Sequence, residues 1–195
     1  RPEAPAGGVV GELAGARQGA TLRWYVDALH KARVDSRVSS VLLVPSGLDE
    51  SYWGKVQELR SAILDFRKSG KRAVAYLQYG SQREYYLATA CDAVYLVPSS
   101  PLDLSGLASY ELFLRGTLDK IGAYPDFYRI GDYKTAPDQL TQKTFTPAHR
   151  EMSEWLTRDL YDQLVEGIAE GRRQSVPDIQ RLVDEAVVAR HRHRP

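Results

Sequence analysis

Lys134 stands in the segment Gly131-Asp132-Tyr133-Lys134-Thr135-Ala136-Pro137, after a strand-like run and before a helix. A lysine in such a place is a candidate proton acceptor for a serine hydroxyl, which is a poor nucleophile until a base takes its proton. The ordinary lysine pKa of about 10.4 leaves the amine charged at neutral pH. Burial against apolar surface disfavours the ammonium and lowers that value by as much as about 3–5. Tyr133 and the aromatic pair Phe127-Tyr128 are the residues at hand to provide such a surface, and the Thr135 hydroxyl is placed to accept a hydrogen bond from the amine. Asp132 and Asp138 work the other way, because an ion pair with either would keep Lys134 charged. A loop lysine with none of this around it is a solvated surface charge.

Other chemistry is thin. Cys91 is the single cysteine, so neither a disulfide framework nor a zinc cluster forms within one chain. It sits in Ala90-Cys91-Asp92 among apolar residues and reads as a buried, inert thiol. Asp119 and Asp126 read as a helix-end and a loop charge rather than paired carboxylates. Gly7-Gly8 and Gly15-x-x-x-Gly19 do not follow a strand as a phosphate loop must. No metal or cofactor is expected. With 26 basic and 25 acidic residues the net charge is +1, which leaves no electrostatic footprint for nucleic acid. No apolar run reaches the ~20 residues of a membrane span, and neither end carries a signal peptide pattern. Both ends read as cut, with Arg1 at one and the basic stretch Arg190-His191-Arg192-His193-Arg194 at the other.

The elements that must position Lys134 follow from periodicity. Residues 1–20 read as an extended entry, with a short edge strand over Val9–Leu13. Thr21 caps a helix carrying Leu22, Tyr25, Val26, Leu29 and Ala32 at helical spacing. Ser39–Val44, Arg72–Leu77 and Ala93–Val97 are apolar, largely β-branched runs and read as strands of a sheet covered on both faces. Tyr52–Lys68 is a helix with Val56, Leu59, Ile63 and Phe66 inward, ended by Ser69-Gly70. A short apolar helix spans Tyr85–Ala90. Leu107–Ile121 is expected as a helix with Leu112, Leu118 and Ile121 inward and Gly122 past its end, and Asp126–Ile130 as a fourth strand. Thr146-Pro147 opens a long helix, as cap and first residue, with Met152, Trp155, Leu156, Leu160, Leu164 and Ile168 in its stripe. A last helix begins at Ser175-Val176-Pro177. Strands alternating with helices imply right-handed βαβ crossovers and a mostly parallel sheet in one α/β domain, residues 21–189, before a basic tail, 190–195.

The succession YYLATACD, AVYLVPSS, LDLSGLASYELFLRGTLDKIG, FYRIGDYKTA and TPAHREMSEWL resembles the signal peptide peptidase A (protease IV) family of Ser/Lys peptidases. The resemblance runs from about Thr21 to about Glu185 and is strongest to the N-terminal half of the long, tandem-domain form. It implies a ClpP/crotonase-like fold. It implies that Lys134, which matches the lysine of the family's G-x-Y-K-[ST]-A segment, is the general base, with the nucleophilic serine in a C-terminal half absent here. Short-form members carry the nucleophile in a Ser-Gly-Gly before the Tyr-Tyr helix. Gln82-Arg83-Glu84 stand there in this chain, and the neighbouring Ser81 lacks the two glycines that let a substrate backbone approach. The glycine-rich oxyanion turn of the short form is matched only by Pro45-Ser46-Gly47-Leu48-Asp49. The resemblance further implies a serine endopeptidase that cleaves hydrophobic peptides such as remnant signal peptides, a homo-oligomer, and anchoring to the cytoplasmic membrane with this domain on the outer, periplasmic side. The anchor would lie upstream of Arg1. A catalytically silent scaffold of the same fold is the alternative. Acyl-CoA chemistry of the crotonase kind needs two backbone amides and a positioned carboxylate, and no such set is legible.

Overall fold

The computed structural model describes residues 21–48 and 52–185. The expected edge strand at Val9–Leu13 and the basic tail lie outside them. The chain divides into two compact units: residues up to Ser105 together with those from Gly167 onward, and Gly106–Glu166.

The first unit is the α/β part. In order it holds α1 (Leu22–Val34), β1 (Ser40–Leu43), α2 (Trp53–Arg67), β2 (Arg72–Leu77), α3 (Gln82–Ala88) and β3 (Ala93–Leu96). The Thr21 hydroxyl accepts the Trp24 amide at 3.2 Å and starts α1, as its residue type predicts. The chain leaves α2 through Gly70, whose φ of +81° suits a residue without a Cβ. The strands form a parallel sheet in the order β1-β2-β3, with Leu43 opposite Ala75 and Leu77 opposite Leu96. Parallel neighbours need a crossover, and α2 and α3 are those crossovers.

The sheet is covered on one face only among the described residues, not on both as the apolar runs suggested. Ala73, Ala75 and Leu77 are buried with Val56, Ile63 and Phe66 of α2 and Leu87 of α3, whereas Leu42, Tyr76 and Tyr95 are exposed. The two-residue period of a strand sends alternate side chains to opposite faces, and hydrophobicity alone does not say which face is covered.

A long helix, α6 (Pro147–Arg172), contributes its last turns to the same unit. A Cβ at Gly167 would lie 2.3 Å from the Tyr86 ring, and one at Gly171 would lie 2.1 Å from the Thr89 carbonyl oxygen. These two glycines are what let the helix backbone approach α3. Arg60, buried on α2, ties the contact together by donating to the carbonyls of Tyr86 and Gly167, each at 2.6 Å, and to the Thr89 hydroxyl at 3.0 Å. The final helix, α7 (Val176–Asp184), is capped by Ser175 and buries Ile179 and Val183.

The second unit is mostly irregular chain before α6. It contains α4 (Arg115–Lys120) and α5 (Asp138–Thr141). Two expectations are corrected here. The helix expected over Leu107–Ile121 is only the six residues of α4, and Leu112 and Ile121 point to solvent. An apolar stripe forms a helix in a protein mainly when a core receives it, and Leu107, Leu112 and Leu114 stay exposed. Asp126–Ile130 is not a strand: no described segment pairs with it, and Tyr128 is 92 % and Ile130 74 % exposed. A β-prone run becomes a strand only beside a partner that takes its backbone groups.

Local signals fare better. Gly122, at φ +70°, ends α4 with its amide on the Asp119 carbonyl, while the Ala123 amide reaches Leu118. Thr146 caps α6 through the His149 amide at 3.3 Å. Within the α6 stripe Leu164 and Ile168 are buried, but Trp155 and Leu156 are exposed.

Candidate functional site around Lys134

The Lys134 turn is built from local bonds. Gly131 has φ +89°, and its carbonyl accepts the Lys134 amide at 3.3 Å. Immediately afterwards Thr135 is buried, and its carbonyl accepts the Asp138 amide at 2.9 Å at the start of α5. Lys134 itself is exposed at the edge of an open groove of about 650 Å³ lined by Tyr128, Ile130, Tyr133, Ala136 and Pro137 among others. Among the described residues its ammonium meets no carboxylate.

The neighbours take other parts than those expected from their order in the chain. The Thr135 hydroxyl points to the Met152 sulfur at 3.8 Å instead of to the amine. Tyr133, exposed, donates its hydroxyl to Glu151 at 2.8 Å, a bond that raises the phenol above its usual pKa. Neither Tyr133 nor the 127–128 pair buries the lysine within this chain, because Phe127 and Tyr128 are themselves exposed. Asp138 does not pair with Lys134. It is completely buried and takes Arg129 at 2.5 Å and the Thr146 hydroxyl at 3.0 Å. Arg129 also reaches the Lys134 carbonyl at 3.4 Å. His149, buried against the Phe113 and Phe145 rings, lies 3.6 Å from Asp138 on one side and 3.6 Å from Glu111 on the other. Sequence reasoning treated Asp138 only as a rival charge and passed over Arg129 and His149. Nothing in their spacing distinguishes a buried network from surface charges.

The second place with chemical interest is in the first unit, where Ser81 precedes α3. Its hydroxyl is buried and has no hydrogen-bond partner among the described residues. Glu84, one turn on, accepts the Leu48 amide at 2.8 Å with one oxygen, and its other oxygen has no partner among the described residues. Gly47, at φ +68°, makes the turn that presents that amide. A carboxylate therefore occupies the Leu48 amide that follows Gly47. Cys91 is buried, and its thiol is pushed up to about 12, by burial above all. That fits the inert role read from its neighbours.

The model of peptidase family S49 matches residues 65–192, well over half the chain and including Lys134. The serine protease SPPA of Arabidopsis thaliana chloroplasts is 36 % identical over 157 residues, which are 80 % of this chain and 23 % of that protein. Protease 4 of Salmonella typhi is 26 % identical over 82 % of this chain and 26 % of its own length. Protease 4 of Haemophilus influenzae is 28 % identical over 75 % and 24 % respectively. The chain thus spans about a quarter of the length of these relatives. Among solved structures, an enoyl-CoA hydratase/isomerase family protein from Silicibacter pomeroyi aligns over 89 % of this chain and 88 % of its own. Its TM-score is 0.35 at 16 % identity.

Proposed function

The chain belongs to peptidase family S49, and on that premise we propose that it is the base-donating part of a serine protease of the signal peptide peptidase A type. Lys134 accepts the proton of a serine supplied by another part of the same protein or by a neighbouring subunit. The serine oxygen then bonds to the scissile carbonyl carbon. The ammonium returns the proton to the departing amine, and a water molecule repeats the cycle to release the acyl group. The substrate class is hydrophobic peptides, remnant signal peptides among them, and the parent is a membrane-anchored oligomer acting on the outer side. No described helix is long and apolar enough to cross a membrane, so an anchor would lie elsewhere in the parent.

The observation that carries the reading is Lys134 itself: an amine that meets no carboxylate among the described residues, on a braced turn, at the edge of an apolar groove. A lysine serves as a base once its amine is taken out of water. Whatever brings the serine must also cover Tyr128, Ile130 and Tyr133, and that same covering desolvates the amine.

A silent scaffold is the second reading. It is favoured by the first unit, where Ser81 is buried and Glu84 occupies the Leu48 amide. The two readings part in the full parent chain. Wild type and Lys134→Ala are compared by fluorophosphonate labelling and peptide hydrolysis, with folding matched by circular dichroism. A folded variant that neither labels nor turns over supports the base. Equal activity removes Lys134 from the chemistry, and an inert wild type leaves the scaffold.

A further inference from the structure

We infer that Arg129 and Asp138 are positioning residues for Lys134; this rests on the reading of Lys134 as the base. Asp138 is 0 % exposed. A carboxylate is held out of water only where donors replace the water. Here they are the Arg129 guanidinium at 2.5 Å and the Thr146 hydroxyl at 3.0 Å. Each donor belongs to a different piece of chain. Arg129 comes from the segment before the Lys134 turn, and Thr146 from the cap of α6. Asp138 also ties back to the turn through its own amide, which donates to the Thr135 carbonyl at 2.9 Å.

The consequence for Lys134 is geometric. Its amide is held by Gly131, its carbonyl by Arg129, and the next residue is buried. The Lys134 backbone is therefore fixed on both sides while its side chain stays free to meet a partner. Arg129 also keeps the Asp138 carboxylate engaged inside the network, so it does not compete for the Lys134 side chain. A base aimed by a braced turn and kept clear of carboxylates needs less reorganisation when the serine arrives.

The test uses the full parent chain with Arg129→Gln, Asp138→Asn and Lys134→Ala. Fluorophosphonate labelling is read as a rate constant and an amplitude, and hydrolysis of an apolar peptide as kcat and KM. The amplitude counts folded sites, whereas the rate constant reads the geometry of the dyad. For Arg129→Gln and Asp138→Asn we expect full amplitude, with the labelling rate constant and kcat lower by roughly 10- to 100-fold and KM little changed. Wild-type rate constants at full amplitude overturn the inference. So does a fall in amplitude at an unchanged rate constant, since that marks a merely structural role. If Asp138→Asn does not fold, Arg129→Gln decides, because its guanidinium is partly exposed. An inert Lys134→Ala beside a fully active Arg129→Gln leaves the base standing and removes only the positioning role. A fully active Lys134→Ala removes both.

Discussion

At the scale of single residues, Lys134 and Cys91 are opposite cases of one rule, that solvent decides reactivity. Lys134 is exposed, so the role of base proposed for it requires a covering surface. If it acts as proposed, Lys134→Arg in the parent behaves like Lys134→Ala, because a guanidinium keeps its proton. The expected loss in kcat is about 10²- to 10⁴-fold, measured by peptide hydrolysis at matched folding. An arginine variant of near wild-type activity would mean that only positive charge matters at this position. Cys91 is already covered, and burial holds its thiol near 12. At pH 8 the folded chain should resist iodoacetamide while urea-unfolded chain is alkylated, a contrast read by intact mass. Alkylation at equal rates would show that the thiol is not sequestered.

Among elements, the junction of α3 with the end of α6 bears the closest approach in the first unit. Gly-to-Ala changes inside a helix usually favour the helix by about 1 kcal/mol. At Gly171 the new methyl would stand 2.1 Å from the Thr89 carbonyl oxygen, so overpacking wins. Gly171→Ala is expected to destabilise by about 1–3 kcal/mol, read from the urea midpoint, and a stabilised variant would contradict the packing. Arg60 works at the same junction. Burial pulls its guanidinium below the usual arginine pKa, with Tyr86 and Glu170 opposing. Arg60→Ala takes a donor from the Tyr86 and Gly167 carbonyls, leaving Tyr86 only the Thr89 hydroxyl, and removes a cation over the Tyr86 ring. The cost should be about 1–3 kcal/mol, and a change well under about 1 kcal/mol in the same assay would show that water replaces the guanidinium.

For the molecule as a whole, acid stability rests on carboxylates held by cations and amides. Asp35 is lowered mainly by Arg37, and Asp119 mainly by Lys143. At Asp92 burial pushes upward, but the Ala73 amide and Arg67 outweigh it and leave the group below its usual value. A folded pKa below the unfolded value of about 3.9 means that the unfolded chain binds more protons in that window. The stabilisation is therefore complete above the unfolded value and is lost as pH falls through the folded ones. The urea midpoint should drop as pH goes from 5 to below about 3.9, and Asp92→Asn should flatten that drop. An identical slope in the variant would take Asp92 out of the account. The exposed faces matter at this scale too. Leu42, Tyr76 and Tyr95 on the sheet, and Tyr128 and Ile130 beside Lys134, are large apolar groups in water. With Lys134 uncovered and Ser81 buried, the proposed role predicts that the 195-residue chain alone does not label with fluorophosphonate under conditions where the parent does.

What could be read from residue order was whatever short-range physics decides. Caps, turns and continuous apolar runs act within a few residues, so Thr21, Gly70, Gly122 and Thr146-Pro147 marked real element ends, and three apolar runs marked three parallel strands. Residues 131–137 were legible as a loop for the same reason, but the strand expected before them did not form. Whether a run is received by a core or a neighbouring strand depends on chain far away in sequence. Hence Asp126–Ile130 kept its β-prone residues without becoming a strand, and residues 107–114 kept a helical stripe without becoming a helix. Partner choice among charges is equally non-local. Only the tertiary structure turned Asp138 from a rival of Lys134 into a buried anchor for Arg129 and Thr146, because the depth of a carboxylate and the donors around it are set by packing rather than by order along the chain.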